Sequence, residues 1–131
     1  MSIEVTAASV IEAYFRSHDE NYFAESAQFR DMSQPEPIRG RAAIGAFMHM
    51  FYVDAFSDAH AEVKNIVSAD DSVVVEFVFR GRNTGSLANI PPTGKEVALP
   101  MACVYEIKRD EIVAGRLYYD SADLARQLAG K

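Results

Sequence analysis

"SVVVEFVFRG" at residues 72–81 and "EVALPMACVYEI" at residues 96–107 decide the fold. Both are rich in β-branched and aromatic residues, and both are bounded by turn-forming sequence, so each reads as a strand. Between them "GRNTGSLANIPPTGK" (81–95), with three glycines and two prolines, is a long connection. Working outward, "AEVKNIV" (61–67) precedes the pair across the turn "SADD", and "IVAGRLYY" (112–119) follows it across "KRD". The second half of the chain is therefore a strand meander. Alternation along 96–107 puts Met101, Cys103 and Tyr105 on one face and Ala102, Val104 and Glu106 on the other.

The first half has the helical period instead. Val10, Ile11, Tyr14 and Phe15 form one stripe of an amphipathic helix from Thr6 to about His18. After Gly40, the positions Ile44, Phe47, Met48, Phe51, Tyr52, Ala55 and Phe56 keep that period and predict one long helix. "DENYFAES" (19–26) suits a short helix between these two, and "AQFRD" (27–31) a brief strand ended by a proline-containing loop. Ser121 to about Leu128 closes the chain as a helix. Helices first and consecutive strands after imply a single α+β domain over 1–131, in which a curved, mostly antiparallel sheet wraps the helices.

Thirteen basic against nineteen acidic residues give a net charge of -6, which repels a phosphate backbone and argues against a nucleic-acid partner. The single cysteine, Cys103, excludes an internal disulfide, and His18, His49 and His60 lack ligand-like spacing, so no metal and no cofactor is expected. "MSIEVTAASV" at the start has no basic leader, and no apolar run reaches the roughly eighteen residues of a membrane span. The expectation is a cytoplasmic protein without membrane contact. The glycines of 81–95 do not form a phosphate-binding loop, because the segment joins strand to strand and lacks the Lys-Ser/Thr ending.

Three stretches, "GRAAIGAF" (40–47), "FVFRGRNTGSLANIPPTGKEV" (77–97) and "YYDSADLARQLAG" (118–130), carry a resemblance that spans nearly the whole chain. They resemble the SnoaL-like (polyketide/ester cyclase-like) branch of the nuclear-transport-factor-2-like superfamily, which also holds ketosteroid isomerases and limonene epoxide hydrolases. The resemblance implies a cone-shaped α+β barrel around an apolar pocket, and a homodimer formed through the outer sheet face. It also implies residue roles. Asp31 in "FRDM" matches the isomerases' general base at the end of the first strand, and Tyr14 in "EAYF" matches their oxyanion-stabilising tyrosine. Asp120 resembles the acidic residue that the cyclases use beside a Tyr-Asp pair. Three positions depart from family patterns: Cys103 stands where the isomerases have a protonated Asp, Asn83 where the cyclases have a His, and Leu117 where the epoxide hydrolases have their base.

Residue chemistry gives each candidate two readings. A carboxylate at Asp31 among apolar walls would be a strengthened base, whereas an Asp before Pro35 also accepts turn N–H groups. Tyr14 lies on a buried stripe, where a phenol needs a partner. Asp120 equally suits the N-cap of the last helix. His18, His49 and His60 read as solvated or structural residues, with His60 in a loop. Phe47, Phe51, Phe56, Met101, Cys103, Tyr105 and Leu117 are the expected pocket wall, suited to a small hydrophobic molecule. Two functions are carried forward. One is a cofactor-free cyclase or isomerase that abstracts a proton from a hydrophobic carbonyl compound, with Asp31 or Asp120 as base; the other is a non-catalytic small-molecule-binding or dimeric accessory protein.

Overall fold

The computed structural model describes residues 6–130; the first five residues and Lys131 lie outside the described residues. Helix α1 spans Ala7–Ser17, and Thr6 and Ser9 close its first turn by reciprocal side-chain to backbone hydrogen bonds. Its stripe buries Val10, Ile11 and Tyr14 as the spacing requires. After the turn Glu20–Tyr22 come β1 (Phe23–Asp31), β2 (Ile38–Arg39), α2 (Arg41–His49), a π-helical segment (Met50–Ala55), β3 (Phe56–Ala69), β4 (Ser72–Asn83), β5 (Glu96–Lys108), β6 (Glu111–Tyr119) and α3 (Ser121–Leu128). The six strands form one sheet in the order β2-β1-β6-β5-β4-β3, antiparallel except where β1 runs parallel to β6. The three helices and the sheet thus make a mixed, mostly antiparallel α+β fold. Its core lies between the sheet's inner face and the helices, with α1 on β3 and β4, α2 on β1, and α3 on β5.

Three local expectations are corrected. The short helix foreseen over 19–26 is a single 3-10 turn capped by the Asp19 side chain, followed by a nine-residue strand. A register shift between Phe23 and Gln28 breaks the period-two pattern there and disguises the strand. The single helix foreseen through Phe56 is α-helical only to His49 and π-helical to Ala55, and Phe56 already belongs to β3. The turn stops at Ala55 because its carbonyl is taken by the Asn83 side chain at 3.0 Å and the Gly85 N–H at 3.1 Å. His60 is in β3 opposite Arg80, not in a loop; the register shift after Ser57 and the positive φ of 53° at Asp58 hide the strand's beginning.

Candidate functional site

Inward positions of β1, β4, β5 and β6 supply one wall of a chamber through Phe29, Phe77, Phe79, Met101, Tyr105 and Leu117. The helical side supplies Tyr14, Phe15 and His18 from α1, and Phe47, Met48, Phe51 and Tyr52 from α2 and its π-helical continuation. The widened π turn belongs to the segment that brings both Phe51 and Tyr52 to the chamber. Gly115 leaves room for this wall, since a Cβ there would sit 2.7 Å from the Phe29 ring. About 390 Å³ of space lies between the lining atoms out to the mouth, but only about 30 Å³ admits the centre of a water molecule. The chamber is therefore a narrow slot, and its mostly aromatic lining suits a planar guest.

The polar groups on the wall are aromatic. Tyr14 is fully buried, packed edge-on against Phe15, Phe23 and Tyr105 with ring centroids 5.2–6.0 Å apart, and its hydroxyl has no hydrogen-bond partner among the described residues. Burial raises its pKa well above the ordinary value, reinforced by Tyr52 and Cys103, so the group stays protonated and is a donor. Burial likewise raises Tyr105 and Tyr52.

Asp31 is buried at the end of β1, two residues beyond Phe29 and in register with Leu117, but it is not on the chamber wall. Its Oδ1 accepts the Ser33 N–H at 2.9 Å and the Ser33 hydroxyl at 2.6 Å, and its Oδ2 accepts the Tyr119 hydroxyl at 2.8 Å. Tyr119 is pushed up to about 12, first by burial and then by Asp31, with Ser33 acting in the opposite direction. Asp31 thus accepts a turn N–H, as the turn reading expects, and does so from a buried position held by Ser33 and Tyr119.

Asp120 stands apart. It caps α3, accepting the Ala122 and Asp123 N–H groups at 2.9 and 3.2 Å, and its side chain is 65% exposed with Arg126 3.8 Å away. Of the expected wall, Phe47, Phe51, Met101, Tyr105 and Leu117 line the chamber. Phe56 and Cys103 do not. Phe56 lies behind the wall with its ring parallel to Phe51 and edge-on to Phe79, because β3 has already begun there. Cys103 faces inward but is sealed in the sheet between Val75 and Leu117, and burial pushes its thiol up to about 12. It is neither a nucleophile nor a contact for a guest.

His18, read from the sequence as solvated or structural, lines the chamber. Its signal was available, since it stands four residues after Tyr14 and so continues the same helical face. Asn83, at the cyclases' histidine position, points into a knot of backbone instead. Its Nδ2 donates to the Ala55 and Gly85 carbonyls, and its Oδ1 accepts from the N–H and hydroxyl of Thr93.

Among the described residues no helix is long and apolar enough to cross a membrane. No curated protein matches the chain in sequence. Solved structures match its fold over nearly the full length. A candidate SnoaL-like polyketide cyclase from Jannaschia sp. CCS1 superposes with a TM-score of 0.87 at 16% identity, covering 100% of this chain and 96% of that one. A protein from Catenulispora acidiphila DSM 44928 with a ketosteroid isomerase-like fold, solved with trimethylamine, gives 0.77 at 19% identity with 95% of each chain covered. A candidate polyketide cyclase from Pseudomonas putida KT2440 gives 0.78 at 22% identity, covering 95% of this chain and 98% of that one. These likenesses establish the nuclear-transport-factor-2-like, ketosteroid isomerase-like fold. Residues 12–128 match the family model for the SnoaL-like polyketide cyclases, and to that family the chain belongs.

Proposed function

We propose that the protein is a cofactor-free, cytoplasmic catalyst that takes a proton from a hydrophobic carbonyl compound held in the slot. The observation that carries this reading is the Tyr14 hydroxyl, a donor buried on an apolar wall without a partner among the described residues. A substrate carbonyl oxygen would supply the missing acceptor. Asp31, two residues beyond the wall residue Phe29 on β1, is assigned as the base, a role that requires its carboxylate to gain access to the slot when substrate binds: it takes the α-proton, the C–H electron pair becomes the enolate C=C bond, the carbonyl π pair moves to oxygen, and that oxygen keeps the Tyr14 hydrogen bond. Returning the proton to a different carbon completes an isomerisation. Attack of the enolate carbon on a second carbonyl completes a cyclisation, so one site serves either outcome. Asp120, occupied as a helix cap, leaves Asp31 as the base.

The probe is 1-indanone in D₂O, followed by NMR for loss of its α-hydrogens. Wild type is expected to accelerate exchange over buffer, and Asp31→Asn to lower that acceleration about 100-fold, or about 2.7 kcal/mol of barrier. Equal rates in the two proteins would remove Asp31 from the chemistry. A binding protein without chemistry is favoured by one observation, the three hydrogen bonds that already occupy Asp31. That reading expects 1-indanone to bind with no exchange. Ligand capture as such accords with the trimethylamine complex of the Catenulispora protein.

The partner we propose is a second copy across the outer sheet face. There Val67, Val74 and Val104 continue in register to Arg116 and Arg30. Val67 is 55% exposed, and the buried Arg30 Nε has no partner among the described residues. Sedimentation equilibrium is expected to give a dimer that Val74→Glu converts to monomer, because a carboxylate would be desolvated at the centre of the valine row, between Val67 and Val104. A monomer in the wild-type protein would end this proposal.

A further inference from the structure

His18, like Tyr52 and Tyr105, is a polar group on the slot that the proton-transfer mechanism does not use, and it is the one imidazole among them. Its left-handed conformation, φ 54°, and the hydrogen bond from its N–H to the Tyr14 carbonyl end α1. The imidazole lies back against the helix with its ring centroid 5.0 Å from that of Tyr14. On its other side it stacks on Tyr52 of the π-helical segment, 4.2 Å away at 26°. Neither ring nitrogen is hydrogen-bonded by a described residue. Burial lowers the imidazole pKa to about 4, so at neutral pH it offers one donor and one acceptor. The same three side chains, Phe15, His18 and Tyr52, also floor a surface depression bounded by Arg16, Ser17 and Ala59–Ala61. His18 therefore stands between the slot and this part of the surface, beside the Tyr14 hydroxyl that lacks an acceptor among the described residues.

We propose that His18 is a ligand-contacting, specificity-determining residue, and that with Tyr14 it selects flat, uncharged hydroxyketones over simple ketones. The proposal rests on the reading that the slot binds a carbonyl compound. Tyr14 donates to the carbonyl oxygen, and the imidazole pairs with the second oxygen. A hydroxyl suits this place because it can donate or accept, and so matches either imidazole tautomer. An anion does not suit it, since the lining contains no Lys or Arg and desolvation of a charge there would go uncompensated.

The test compares 1-indanone with 2-hydroxy-1-indanone, which differ by one hydroxyl, by NMR titration of protein carrying labelled methionine methyls and labelled histidine Cε1. Met48 and Met101 line the slot and report occupancy; the His18 resonance reports the contact and is identified in the wild-type protein by its through-space contacts with the stacked Tyr52 ring. Wild type is expected to bind the hydroxyketone about tenfold more tightly, a preference that falls to within about twofold in His18→Phe, whose ring keeps the stack on Tyr52. The His18 resonance is expected to move with the hydroxyketone and not with 1-indanone, a readout that needs no variant to fold. Slot occupancy with an unmoved His18 resonance, or an undiminished preference in His18→Phe, overturns the His18 assignment and leaves the slot reading in place. Methionine methyls that respond to neither compound overturn both.

Discussion

Asn83→Ala is expected to lower the unfolding free energy by about 4 kcal/mol, because it strips the partners from several buried polar groups at once. Asn83 is fully buried, and both hydrogens and both lone-pair positions of its amide are used. Truncation leaves the Gly85 carbonyl and the Thr93 N–H without these partners, while the Ala55 carbonyl keeps only the Gly85 N–H. Water cannot take all these places readily, since the backbones are already close: a Cβ on Gly85 would fall 1.9 Å from the Asp54 carbonyl oxygen. Asn83→Asp is expected to be no better, as a carboxylate oxygen would face two carbonyl oxygens. Urea unfolding checks this through its midpoint, with the slope unchanged. A loss below about 1 kcal/mol would mean that the knot is dispensable. The consequence reaches the slot, because Ala55 ends the segment that carries Phe51 and Tyr52 to the wall.

Asn83 also marks the limit of what residue patterns convey. The helix α1 and the strands β4 and β5 were legible because each buries one face of a regular element: Tyr14 follows Val10 and Ile11 at helical spacing, and Met101, Cys103 and Tyr105 alternate inward. Of the wall residues on those elements, Met101 and Tyr105 followed from the same period, whereas Phe77 and Phe79 on β4 were not singled out. Where the geometry departs from a period, the reading fails. The π turn after His49 moves Phe56 from a helix face to a strand, and register shifts at Phe23 and after Ser57 conceal the starts of β1 and β3. Asp31 and Tyr119 meet across 88 positions of sequence, and Asn83 reaches back 28 to Ala55, so neither partnership has a local trace. Inward orientation is also not the same as access. Cys103 and Phe56 face the core, yet other side chains separate them from the slot.

Tyr14→Phe is expected to raise stability and destroy function together, by about 1 kcal/mol in unfolding free energy and about 100-fold in 1-indanone exchange. The two changes have one cause. In the free protein the hydroxyl has exchanged water for a site with no acceptor among the described residues, and that desolvation is a cost that phenylalanine does not incur. The ring itself, packed among Phe15, Phe23 and Tyr105, is kept. In the complex the same hydroxyl gains the enolate oxygen, where negative charge develops as the α-proton leaves, so its removal weakens the transition state more than the ground state. Tyr119→Phe provides the contrast. That hydroxyl already donates to Asp31 at 2.8 Å and lies 3.0 Å from the Ser33 hydroxyl, so its loss is expected to destabilise by about 1 kcal/mol. Thermal unfolding of the two variants beside their exchange rates separates the roles. If Tyr14 were a core residue and nothing more, its phenylalanine variant would exchange 1-indanone as fast as wild type; if its hydroxyl were already satisfied in the free protein, the variant would be less stable than wild type. Opposite signs in stability and activity at Tyr14, with loss of stability at Tyr119, are the signature of a donor held in reserve for a guest.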